Sequence, residues 1–224
     1  TYEEGVVLLM PTRRYPHEVQ PFRPMPKLFE IFQQSRDWSR ILHAADIGAL
    51  NEQISAGKLR ELVYTSEALH AKHISNIAQE ISSREKLQLV LIAGPSSSGK
   101  TTFARKLCIQ LRAEGMVPHL ISVDNYFKNR EDTPLDEDGA PDFESLDALD
   151  REQFQKDLEA LLDGQEVNMP TYNFKTGRRE YRGGTMKFGA SDVLVVEGIH
   201  CLNEELTASI PHEKKYKIYI SALT

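Results

Sequence analysis

The sequence is short of cysteine, with two in 224 residues, and has a single tryptophan. Two cysteines cannot make the framework of a disulfide-rich secreted domain. Cys108 and Cys201 sit inside apolar-patterned segments, which suits buried free thiols in a reducing cytosol. No apolar run approaches the roughly 18 residues of a membrane span, and the first residues, Thr1-Tyr-Glu-Glu, show no secretory pattern. Excess positive charge is also lacking. The net charge is −6, which argues against broad nucleic-acid binding but not against a local nucleotide site. Cytoplasmic localisation is therefore expected. The sequence leaves homo-oligomerisation open. Absence of an initiating Met points to a piece of a longer chain.

What is present is dominated by Gly94-Pro-Ser-Ser-Ser-Gly-Lys-Thr101, which fits the phosphate-binding pattern G-x-x-x-x-G-K-[ST] without mismatch. The apolar Leu87–Ala93 precedes it as a strand. A helix with Phe103, Leu107 and Leu111 on one face follows. Strand, glycine loop and helix are the context the pattern needs. Backbone amides of Gly94, Ser96, Ser97, Ser98, Gly99 and the helix start, through Thr102, would converge on an anion. Lys100 would reach the outer phosphates and the Thr101 hydroxyl would ligate Mg²⁺. The bland alternative is an ordinary Ser/Gly turn before a helix.

The rest of the chain reads in order around that loop. Gly5–Met10 suggests a strand. Five prolines from Pro11 to Pro26 then exclude a long helix. Helices are expected over 26–41, where Pro26 suits the first position, over 47–55 and over 58–83. His70 and His73 lie one turn apart and read as packing residues rather than metal ligands. After the glycine-loop unit, 115–123 is a turn and a second strand. The acidic, turn-rich 131–150 precedes a helix capped by Asp150 and ended by Gly164. Residues 168–188 predict a two-stranded excursion, with turns at Gly177 and Gly183-Gly184. Buried strands are expected at 192–198 and 215–220. The β-α-β alternation implies a P-loop α/β core with a parallel sheet, over 85–224, behind a mostly helical region over 1–84.

Two carboxylates fall at strand ends. Glu197 closes Val193-Leu-Val-Val and would support Mg²⁺ beside Lys100 and Thr101. Asp124 follows the second strand, and ligands of open α/β sheets bind at such ends. It could accept the proton of an acceptor hydroxyl; the alternative is a turn-forming aspartate. A GTPase switch is disfavoured, since Glu197-Gly198 is not D-x-x-G and N-K-x-D is absent.

The set Gly94–Thr102, Ser122-Val-Asp-Asn-Tyr-Phe127, Asp142-Phe-Glu144, Pro170-Thr-Tyr-Asn-Phe174 and Val196-Glu-Gly-Ile199 resembles the uridine kinase/phosphoribulokinase family. It looks most like its bacterial members with a threonyl-tRNA-synthetase-like N-terminal region. The resemblance implies an ATP- and Mg²⁺-dependent kinase whose acceptor is a small molecule, a nucleoside first. It implies Lys100 and Asp124 in catalysis, Thr101 and Glu197 at the metal, and Tyr126 lining the acceptor pocket. Phe143 and Glu144 would face the sugar, and Tyr172 and Phe174 would stack near a base. Two departures stand out. Glu144 replaces the family's shorter Asp, and Gly177 stands where uridine-cytidine kinases carry a base-reading His. Lys175, Arg178, Arg179, Arg182 and Lys187 make either a solvated hairpin or a site for an anionic acceptor such as a phosphosugar. The family's arginine lid follows the strand that ends these residues, so weak nucleotide binding and slow turnover are expected of them alone. A nucleotide-binding regulatory module, linked to RNA through the synthetase-like region, is the rival from another class.

Overall fold

A computed structural model describes residues 8–221. The strand expected at Gly5–Met10 falls mostly outside them, and residues 8–10 have no regular structure. The chain divides into two compact units, Thr1–Leu69 and His70–Thr224.

In the first unit, residues 8–25 carry neither helix nor strand. Two short helices follow, α1 (Pro26–Ile41) and α2 (Ile47–Ser55), and then the start of α3 (Leu59–Ser82). Pro26 opens α1 as its position predicts. Asp46 caps α2, its carboxylate accepting from the Ala49 amide at 2.8 Å. No residue of α1 or α2 is buried.

The second unit is built on a sheet of four parallel strands. These are β1 (Leu89–Ala93), β2 (Val117–Ser122), β5 (Asp192–Glu197) and β6 (Lys215–Tyr219), in the order β2-β5-β1-β6. A separate antiparallel hairpin joins β3 (Glu166–Asn173) to β4 (Arg178–Lys187). Parallel strands covered on both faces read as unbroken apolar runs, and all five residues of β1 are buried.

Period-two alternation sorts those side chains. Val90, Ile92, Val193 and Val195 meet Ile74, Ala78 and Ile81 of α3 and Ala104, Leu107 and Leu111 of α4 (Lys100–Ala113). Leu89, Leu91, Leu194 and Val196 meet Phe154, Leu158 and Leu161 of α5 (Arg151–Leu162). Both cysteines are free and buried. Among the described residues no helix is long and apolar enough to cross a membrane.

One sequence expectation changes. Gly183-Gly184 lies inside β4 rather than at a turn. Register passes from Asn168↔Thr185 to Pro170↔Tyr181, so residues 182–184 bulge opposite Met169. Glycine at positive φ serves a bulge as readily as a turn, and Gly183 has φ +78°.

Candidate functional site

Three strand ends meet at the carboxyl edge of the sheet. Glu197 is in register with Ile92 of β1 and with Ser122 of β2, so the end of β5 stands between the other two. Gly198 lets them close up. A Cβ there would lie 2.9 Å from Val123 Cβ, so the turn after β5 packs against the turn after β2. Gly94 does the same on the other flank, where a Cβ would stand 2.2 Å from the Ile220 carbonyl oxygen.

Between β1 and α4 the loop winds through two left-handed residues, Ser97 (φ 59°) and Gly99 (φ 86°). Left-handed serine is strained backbone, which persists where surroundings impose it. Gly99 caps α4 without a side chain, leaving the first-turn amides free to meet an anion. The Lys100 ammonium donates to the Pro95 carbonyl at 2.8 Å, folded over the loop. The Thr101 hydroxyl donates to Glu197 Oε1 at 3.2 Å. Ser98 Oγ is buried with no hydrogen-bond partner. Ser96 and Thr102 are exposed.

Glu197 is only 6% exposed. A buried carboxylate beside a hydroxyl, next to a cradle of amides and a lysine, is an all-oxygen donor set. It suits a small hard cation that keeps water and phosphate oxygens, so Mg²⁺ fits. His70 and His73 do not join any metal-binding cluster among the described residues.

Asp124 lies in a 3-10 turn, Val123–Tyr126, directly after β2. Burial raises its pKa, and the Glu197 charge raises it further. Lys100 and His200 act in the opposite direction. Asp124 is therefore electrostatically coupled to the glycine-loop lysine and to the carboxylate at the end of β5. His200 was not foreseen. It follows Glu197 by three residues, and its Nε2 is buried without a partner.

Tyr126 does not reach the cleft. It is 1% exposed, edge-on to Phe154 at 5.1 Å, with its phenol beside Asp157, whose charge together with burial pushes that phenol up. Phe127, itself only 5% exposed, is the residue that packs on the neighbouring aromatic side chains. A 3-10 helix has three residues per turn, so residues 124 and 127 share a side and 126 does not. Phe127 packs edge-on against Phe143 (5.1 Å), Tyr172 (5.6 Å) and Phe174 (6.4 Å). The spacing from Asp124 was the available signal.

Phe143, Tyr172 and Phe174 thus share one aromatic group, with the Phe174 ring 58% exposed. Asn125 holds this group to the 3-10 turn that carries Asp124, its side-chain oxygen accepting from the Tyr172 amide at 3.2 Å. Glu144 is exposed. Asp142 Oδ1 accepts from its amide at 2.9 Å, and its own carboxylate has no hydrogen bond or ion pair among the described residues.

The cationic hairpin resolves largely into pairs. Arg178 meets Glu131 at 3.3 Å, Arg179 meets Asp150 at 2.8 Å and Arg182 meets Glu180 at 2.7 Å. Three of its cations are thereby neutralised in place.

Comparison with known proteins agrees with this architecture. The model of the phosphoribulokinase / uridine kinase family matches residues 89–222. A uridine kinase of Mycoplasma genitalium is 35% identical over 136 residues, 61% of this chain and 61% of its own. A uridine kinase of Halobacterium salinarum is 33% identical over 114 residues, 51% of this chain and 48% of its own. The chain thus spans about half to three fifths of the length of these curated relatives. A solved structure described as a possible uridine kinase from Bacillus stearothermophilus superposes with a TM-score of 0.54 at 21% identity. That superposition covers 66% of this chain and 79% of the other, a likeness of fold.

Proposed function

The chain belongs to the phosphoribulokinase / uridine kinase family, and on that premise we propose that it transfers the γ-phosphate of ATP to a hydroxyl of a small molecule, a uridine- or cytidine-type nucleoside first. One observation carries the reading. The Thr101 hydroxyl and the Glu197 carboxylate meet at 3.2 Å, and Asp124, coupled to Glu197 and Lys100, follows the adjacent strand.

In this reading the loop amides and the α4 N-terminus hold the phosphates. Lys100 exchanges the Pro95 carbonyl for an outer phosphate oxygen. Thr101 and Glu197 would hold Mg²⁺, which when bound offsets charge on the phosphates. Asp124 takes the proton of the attacking hydroxyl as its oxygen bonds to the γ-phosphorus and the bridging bond to ADP breaks. The aromatic group of Phe127, Phe143, Tyr172 and Phe174 forms a wall for a flat acceptor, and the unpaired Glu144 carboxylate can accept from neighbouring hydroxyls. The paired hairpin arginines weigh against a phosphosugar held by that cluster.

The test is transfer of radiolabelled γ-phosphate by the full chain with Mg²⁺, which registers slow turnover. Uridine, cytidine, ribose and ribulose 5-phosphate would serve as acceptors. Transfer to a nucleoside, lost in Asp124→Asn, is the expected result. Bound ATP with no transfer to any of them would favour a regulatory nucleotide-binding role instead.

A further inference from the structure

Glu197, Lys100 and His200 are the titratable side chains whose charge acts on Asp124. The first two are engaged elsewhere. Glu197 Oε1 accepts from the Thr101 hydroxyl at 3.2 Å, and the Lys100 ammonium donates to the Pro95 carbonyl at 2.8 Å. Asp124 and His200 remain. The Asp124 carboxylate has no hydrogen bond or ion pair among the described residues. His200 Nε2 is buried with no partner, and the ring makes no other hydrogen bond among the described residues. A buried polar atom without a partner calls for an explanation, and a working role is one.

The two lone groups stand on adjoining turns. Asp124 lies on the 3-10 turn after β2, and His200 on the turn after β5. These strands are paired as far as Ser122 and Glu197, and the bare Gly198 lets the turns close on each other. The backbone around His200 is fixed on both sides. The Cys201 amide donates to the Gly198 carbonyl at 3.3 Å, and the Asn203 amide to the His200 carbonyl at 2.8 Å. Cys201 is buried in the same core cluster as Val123 and Tyr126, so the neighbours of both groups pack together. The Asp124 charge in turn acts on the Cys201 thiol.

The pair is complementary, since an imidazole N–H donates and an ionised carboxylate only accepts. A catalytic base is commonly oriented by a third group. We propose that His200 is the positioning residue of the base, its Nε2–H donating to one Asp124 oxygen and leaving the other to face the acceptor hydroxyl. The bond tightens as the substrates assemble, as catalytic hydrogen bonds commonly do, and neutral imidazole suffices for it. Glu197 cannot serve, being an acceptor itself, and Lys100 is drawn to the phosphates. This rests on the reading of the cleft as a kinase site with Asp124 as its base.

The experiment measures labelled transfer by the full chain with ATP and Mg²⁺, over the same four acceptors, for His200→Leu, His200→Asn and His200→Gln, each alone and with Asp124→Asn. His200→Leu should lower kcat by up to about 10²-fold, the cost of a misplaced reacting group, with KM and ATP binding little changed. Gln carries an amide N–H at the depth of Nε2 and should restore most of the loss, whereas the shorter Asn should not. In the Asp124→Asn background the His200 changes should cost nothing more, because groups that act as a unit are not additive. The inference is overturned if His200→Leu turns over like wild type, if the loss lies in KM, if Gln does no better than Asn, or if the loss is the same in both backgrounds. Nitrogen NMR of the full chain with Mg²⁺ and adenylyl imidodiphosphate decides the point without turnover. A slowly exchanging proton on His200 Nε2, lost in Asp124→Ala, is expected; its absence from wild type, or its persistence in that variant, would refute the bond. Failure of wild-type transfer to every acceptor would count against the kinase reading, while the NMR result would still decide the role of His200.

Discussion

Asp124 is half-buried, and burial and the Glu197 charge both oppose its ionisation. A general base must be ionised to work. Because its pKa is raised, the carboxylate protonates at a higher pH than the ordinary value of 3.8. The acid limb of kcat/KM should accordingly lie above that of an unperturbed aspartate, as a pH–rate profile would record. Asp124→Asn is expected to lower transfer by about 10²- to 10⁴-fold, the usual worth of a positioned base, with ATP binding retained in a fluorescent-nucleotide titration. Asp157 carries the opposite consequence for stability. Burial raises its pKa against the pull of Gln153, whose amide donates to Oδ1 at 2.7 Å. The folded state thus holds the proton more tightly than the unfolded chain. Its favourable contribution is full below the unfolded value and is lost as pH rises through the raised one. Asp157→Asn keeps an acceptor for Gln153 without the charge, so its urea midpoint should exceed wild type at pH 7 and converge on it near pH 4. Convergence at both pH values, or a lower midpoint at pH 7, would refute this.

The β3–β4 hairpin is the element that brings Tyr172 beside the turn that carries Asp124. It is tied down by the Arg179–Asp150 pair and by the Arg179 amide donating to Asn129 Oδ1 at 3.2 Å. Asp150 also caps α5 by accepting from the Gln153 amide at 3.1 Å, so one carboxylate anchors two elements. The Gln153 side chain, three residues on, turns away from the cap and donates to Asp157. Arg179→Ala leaves Asp150 with a single partner and should destabilise the unit by about 2 kcal/mol, as for a lost hydrogen bond to a charged group, read from urea unfolding. The hairpin should then be nicked earlier in limited proteolysis. Both strands were legible from their alternation and turn residues. The bulge was not, because two glycines in sequence do not say whether a partner strand continues past them.

For the His70–Thr224 unit as a whole, the site depends on how closely three parallel strands end together. Gly198→Ala forces a Cβ to within 2.9 Å of Val123 Cβ and should cost about 1–3 kcal/mol, the range for overpacking, with transfer falling alongside. Wedging this junction spreads Asp124 from Glu197. Ligand linkage gives a second test. ATP with Mg²⁺ at about a hundred times Kd should stabilise the folded unit by about 2.7 kcal/mol, read as a thermal shift. Chelation of Mg²⁺ should reduce the shift, and Thr101→Ala should make it insensitive to chelation.

The sequence alone determined the parallel α/β core and the cradle, because both are written locally. The glycine loop, the apolar run before it and the helix after it span residues 87–112. Buried parallel strands declare themselves as continuous apolar runs. The pairing of Glu197 with Thr101 was also readable, since each closes or follows such a run. Only the tertiary structure decided the acceptor side. Which of Tyr126 and Phe127 faces the aromatic group depends on a single 3-10 turn, and whether the hairpin's cations are free depends on carboxylates up to 47 positions away, as with Glu131 and Arg178. A Cβ on Gly177 would likewise stand 2.8 Å from Arg130 Cβ, a residue far from it in the chain. Contacts of that separation form when the chain closes on itself, and no local pattern announces them.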